Sequence, residues 1–125
     1  MGAAVIQMEF YQSVTDAERD AAKSMLRRYT RMKRTVDELG LSDALNEKQQ
    51  AIYKDWKLKT DNIERAVRVI IDHELKKMVE YRFIQGLPRK SALIKFRSIS
   101  ERSFDRRIVD GIKSVASTLK LWDVL

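Results

Sequence analysis

Apolar residues return at three- and four-residue steps along nearly the whole chain, the period of a helix with one buried face, and no stretch alternates as a half-buried strand does. Thr15, Asp16, Ala17 and Glu18 match a capping box, so a helix is predicted from 16 to 39, with Ala22, Met25, Tyr29, Met32, Val36 and Leu39 inward and Gly40 as its stop. At 24 residues it is roughly 36 Å long. A second helix is predicted over 42–57, burying Leu41, Leu45, Ile52, Tyr53 and Trp56. The polar run KLKTDN at 57–62 reads as a boundary, and Asp61 to Glu64 as the capping box of a helix at 61–71 carrying Ile63, Ala66, Val67, Ile70 and Ile71. Asp72 caps the next, at 73–85, with Leu75, Met78, Val79 and Phe83 inward and Gly86 as terminator. Pro88 suits the first turn of a short helix at 88–96. After a tight turn at Arg97, Ser98 and Ile99, Ser100 opens a helix to about 119. Its stripe of Phe104, Ile108, Ile112, Val115 and Leu119 must be buried, which leaves Arg102, Ser103, Arg106, Arg107, Asp110 and Lys113 on the other side. The tail Leu121, Trp122, Val124 and Leu125 is apolar enough to fold back. Residues 1–12 show no clear pattern and read as an extra strand, a partner-binding arm or a disordered end.

The expected fold is therefore all-α, with an N-terminal helical region at 1–60 available for oligomerisation or partner contact and a four-helix unit at 61–125. Composition agrees: one proline and four glycines in 125 residues are sparse punctuation for a sheet protein. The absence of cysteine excludes disulfides and thiolate metal sites. No signal peptide is evident, Ile6 stands where a myristoylation motif wants Ser or Thr, and no apolar run approaches the roughly 20 residues of a membrane span. The expectation is a soluble, cytoplasmic protein with no membrane partner.

Charge changes the picture once it is located. The net +7 falls entirely in residues 76–125, which hold twelve basic and five acidic side chains, while residues 1–39 and 40–75 cancel. A basic surplus confined to one helical unit is the footprint of phosphate binding, with simple solubility as the alternative. The first helix also carries Lys23, Arg27, Arg28, Arg31, Lys33 and Arg34 with no acid between them. That face reads as solvated, its stems covering apolar neighbours, because acids before and after balance it; contact with DNA backbone or an acidic partner is the alternative.

The run Y-R-F-I-Q-G at 81–86, a short helix, then I-S-E-R-S-F-D-R-R at 99–107 and a final helix resembles the DNA-binding part of sigma-factor region 4. More narrowly, it resembles the ArpU-type phage transcriptional regulators, over about residues 63–121. The resemblance implies a region 4-like helix-turn-helix domain and sequence-specific binding of double-stranded DNA that controls phage or prophage late genes in a bacterial host. In such units the small residue where the two helices approach falls, by count, at Ile94, and the turn glycine at Ser98.

The mechanism follows from chemistry. A helix fixed by one face, with arginines on the other, suits a major groove about 12 Å wide. Glu101, Arg102, Ser103, Arg106 and Arg107 are the candidates for base edges, arginine pairing with guanine O6 and N7 and glutamate accepting from cytosine N4. Arg89, Lys90, Lys95, Arg97 and Ser100 are the candidates for backbone phosphates. Glu101 serves equally well as a complement to the helix N-terminal dipole, and Arg107 as a partner of Asp110 or Asp105. Phe96 and Phe104 at helical spacing belong to a core, and His73 between Asp72 and Glu74 does not form a metal site. No phosphate loop, HExxH or nucleophile elbow is present, so no enzyme and no cofactor is expected. The other readings are a phage DNA-packaging adaptor like a small terminase subunit and a module that binds RNA polymerase. A regulator should be a monomer or homodimer.

Overall fold

In the computed structural model residues 13–125 are described, and they form five helices with no strand among them. These are α1 (Asp16–Gly40), α2 (Glu47–Arg68), α3 (His73–Val79, continued by a π turn at Glu80–Ile84), α4 (Arg89–Lys95) and α5 (Glu101–Leu121). The fold is all-α as expected. The readings of residues 1–12 lie outside the described residues.

The predicted capping box opens α1: Glu18 N–H donates to Thr15 Oγ1 at 3.1 Å, and Thr15 N–H to Glu18 Oε1 at 2.9 Å. Its buried stripe is Ala22, Leu26, Tyr29, Met32 and Val36. Met25, expected on this face, lies at its edge, and Leu26, not expected there, is buried.

The largest departure is α2. Two helices separated at 57–62 were expected, whereas a single helix runs through that stretch. Thr60 is fully buried and its hydroxyl donates to the Lys57 carbonyl at 3.1 Å. Lys59–Asp55 and Lys57–Asp61 pairs, at 2.9 and 3.4 Å, lie one turn apart along the same stretch. Residues able to cap a helix thus find their partners inside one. The real N-cap is Asn46, whose side chain accepts from Gln49 N–H at 2.8 Å while Gln49 Oε1 accepts from Asn46 N–H at 3.0 Å. The start therefore shifts from 42 to Glu47 and leaves Leu41 outside, 80% exposed. The helix ends at Arg68, so Ile71 is off the helical phase and 70% exposed.

One main core draws on both sides of residue 60. Leu26 and Tyr29 of α1 pack with Ile63 and Val67 of α2, Phe83 beyond α3 and Leu119 of α5. Tyr29 is buried except for its hydroxyl contact, donating to Glu64 at 2.6 Å, and Lys33 pairs with the same carboxylate at 3.4 Å. Burial and the Glu64 carboxylate together raise the Tyr29 phenol well above its ordinary 10. A smaller cluster of Met78, Ala92 and Phe104 holds α4 against α3 and α5, and Ile108 touches both clusters. Of the tail only Val124 packs on the core. Asp123 takes the left-handed conformation (φ 59) and lets Val124 N–H reach the Leu119 carbonyl at 2.9 Å, while Leu121, Trp122 and Leu125 stay exposed.

Two glycines make close approaches. Gly86 has φ +69 and ends the π turn, with Leu87 N–H donating to the Tyr81 carbonyl at 3.1 Å. A Cβ there would also sit 2.7 Å from Thr30 Cγ2. Gly111 lies inside α5, where a Cβ would overlap Cγ2 of fully buried Val79. Its lost helix propensity, about 1 kcal/mol against alanine, is offset by the close crossing of α3 and α5. Gly111→Ala should therefore destabilise the protein, by up to about 2 kcal/mol net of the propensity gain, measured as a lower midpoint in urea at unchanged m value.

Candidate nucleic-acid interface

A seven-residue helix such as α4 has almost no stability of its own and holds its place by packing. Ala92, wholly buried, is the small residue at the approach to Phe104 and Met78. Ile94, expected there by count, is 65% exposed. Phe96 closes α4, its ring stacked on Phe104 at 6.0 Å and edge-on to Tyr81 at 5.8 Å. The turn follows, with Ile99 N–H donating to the Phe96 carbonyl at 3.2 Å. Ser100 then caps α5: its Oγ accepts from Ser103 N–H at 3.1 Å and donates to Ser103 Oγ at 3.0 Å.

Burying Phe104 decides what points outward. Residues two places before and after it lie about 200° round the helix, on the opposite side. Arg102 and Arg106 occupy those places, are exposed, and make no ion pair among the described residues. Lys113, two turns on, lies on the same exposed line, and Val109 beside it is 39% exposed.

The remaining expected contacts divide. Lys90 and Arg97 are exposed and without ion-pair partners among the described residues. Lys95 is exposed with its Nζ 5.7 Å from the centre of the Tyr81 ring. Arg89 is engaged: its Nε and Nη2 donate to the two Asp105 oxygens at 2.9 and 2.8 Å, and Nη2 also to Glu101 at 2.7 Å. It thus acts as a strut from α4 to α5, and Glu101 has one oxygen committed to it. The hydrogen bonds that Arg89 donates to Asp105, then to Glu101, raise its guanidinium, and the same contact holds the Asp105 carboxyl below its usual range. Arg107 lies further round and pairs with Asp72 at 3.1 Å; its Nε is buried without a hydrogen-bond partner. Asp72 also caps α3, accepting from Leu75 N–H at 3.0 Å, and that backbone contact chiefly holds its carboxyl low. Ser100 and Ser103 are bonded to each other at the start of α5.

Sequence reasoning missed Asp105 and Asp72 as partners, because each lies 16 or 35 residues from its arginine. It placed Lys113 on the outer face without naming it a contact, and left Val109 out, although its spacing from Arg106 was a usable signal. Among the described residues no group of three His, Asp or Glu side chains is placed to hold a metal, and no helix is long and apolar enough to cross a membrane.

The Arg89 strut has a pH signature. A depressed Asp105 carboxyl contributes stability that is complete above the ordinary value of 3.8 and is lost as pH falls through the depressed one. In a carboxyl-carbon NMR titration the Asp105 midpoint should lie below 3.8 and move up towards it in Arg89→Leu; equal midpoints in the two proteins would show that the strut does not form in solution.

Compared with protein-family models, curated proteins and solved structures, the chain matches none.

Proposed function

We propose that this protein is a sequence-specific, duplex DNA-binding transcriptional regulator that reads the major groove with α5, without catalysis or cofactor. The observation that carries this reading is the outward pair Arg102 and Arg106, one turn apart, unpaired among the described residues and directly opposite buried Phe104. A helix with its side chains is about 10–12 Å across, close to the width of the major groove. In this assignment Arg102 and Arg106 pair with guanine edges, Val109 offers an apolar contact to a thymine methyl, and Lys90, Lys95, Arg97 and Lys113 meet phosphates. Arg89 and Arg107 act one step back, as struts that fix α5 against α4 and α3.

The likeness of residues 63–121 to sigma-factor region 4 and to ArpU-type regulators supports the same reading and points to phage or prophage late genes as targets. RNA polymerase is a natural second partner for a region 4-like unit in a bacterial cytoplasm. A regulator of this kind should be a monomer or a homodimer. A large ring in light scattering would turn the assignment to a packaging adaptor.

Selection of bound fragments from a random duplex pool should return one preferred sequence. Against it, Arg102→Ala and Arg106→Ala should each cost about 1–3 kcal/mol and relax the preference. Lys90→Ala should weaken preferred and unrelated duplexes alike and make the salt dependence shallower. Identical behaviour of all three variants in competition binding overturns the division into base readers and phosphate contacts.

A further inference from the structure

We infer that Lys23, Arg27, Arg31 and Arg34 on the outer side of α1 form a second track for duplex DNA phosphates, joined through Arg82 to the surface of α4 and α5. The inference rests on the DNA-binding reading above and extends it to a helix outside the helix-turn-helix unit.

The first support is the distribution of ion pairs. Most acids near this stripe belong to other cations, Asp16 and Asp20 to Arg19, Asp37 to Lys33 and Glu18 to Lys120, and the remaining one, exposed Glu38, lies one turn beyond Arg34 at the C-terminal end of the stripe and forms no ion pair with it. Lys33 is further drawn to Glu64 of α2 and so leaves the stripe. Lys23, Arg27, Arg31 and Arg34 have no carboxylate partner among the described residues, and no acid lies between them in sequence. Like charges at three- and four-residue steps each cost a helix a few tenths of a kcal/mol. Four such residues in succession are a standing repulsion that an external polyanion would relieve.

The second support is continuity. Thr30, between Arg27 and Arg34, lies against Gly86, the residue that turns the chain from α3 towards α4. A cleft of about 190 Å³ at that contact is lined by Arg27, Thr30, Arg82 and Gly86. Arg82 donates to the Leu87 carbonyl at 2.7 Å, two residues before Arg89. Its guanidinium is lowered by burial first and then by the charges of Arg27 on α1 and Arg89 on α4, between which it stands. The stripe rises over eleven residues, roughly 16 Å, the axial length of about five base pairs at 3.4 Å each. A linear array of arginines continuous with a groove-reading helix fits a polyphosphate backbone better than an isolated acidic patch on a protein.

The test uses the full chain and mixed-sequence duplex DNA, with affinity measured by fluorescence anisotropy across a salt series. The triple variant Arg27→Ala, Arg31→Ala, Arg34→Ala should shallow the slope of log K against log salt by about 2–3, at 0.9 per lost phosphate, and leave the sequence preference intact. Lysine at the same three positions should restore the slope. The alanine protein should melt no lower than wild type, since it loses only exposed like charges; if it does, single Arg27→Ala and Arg34→Ala variants carry the test, each shallowing the slope by about 0.9. A wild-type slope in the alanine variants overturns the second track, and if Arg102→Ala still relaxes preference the α5 assignment stands without it. Absence of salt-sensitive binding by the wild-type chain itself overturns both.

Discussion

The stacking of Phe96 on Phe104 is the contact on which the arrangement of the candidate interface depends. Burying one such ring is worth about 1.5–3 kcal/mol, more than a seven-residue helix can supply by its own hydrogen bonding. With Phe104 inside, the helical repeat alone sends Arg102 and Arg106 outward. With Phe96 packed on the cluster, α4 ends where the turn must begin, and Lys90 and Arg97 stay exposed on either side of it. The Arg89 contacts to Asp105 and Glu101 are exposed and individually weak, so they adjust α4 against α5 rather than hold it there.

This small aromatic cluster is coupled to the rest of the chain at Gly111 and Ile108. The missing side chain at Gly111 lets α5 press on Val79, and Ile108 shares its contacts between the two clusters. Because α2 is continuous, the Tyr29–Glu64 contact ties α1 to the same helix that supplies Ile63 and Val67 to the core. The arginines of α1 and those of α5 therefore stand on helices that share one apolar interior.

Much of this was legible in residue order. The buried stripes of α1, α3 and α5 repeat at helical spacing, and Thr15 and Ser100 cap where their neighbours say they should. The outward arginines of α5 follow from the same arithmetic. What escaped depended on distant partners. Thr60 and Asp61 look like a helix start, and only the burial of Thr60 against the core reveals that they sit inside one. Counting along the turn put Ile94 at the close approach, but the landing of Phe96 between two rings moves that place to Ala92. Arg89 looks free in sequence, and Arg107 looks paired with Asp110 or Asp105, because the carboxylates they meet, Asp105 and Asp72, are distant along the chain. The α1 arginines mislead in the opposite sense: acids close in sequence suggest neutralisation, while the fold gives Asp20, Asp37 and Glu18 to Arg19, Lys33 and Lys120, and Glu38 pairs with none of the arginines.

The central claim is that the outer face of α5 touches base edges in the major groove, and guanine N7 methylation interference on the selected duplex tests it most directly. The methyl group lies in that groove where an arginine would donate. Groove reading by Arg102 and Arg106 predicts a few discrete guanines whose methylation abolishes binding by the wild-type protein. Full binding to duplex methylated at every guanine, with minor-groove or phosphate modification inhibitory instead, would contradict it.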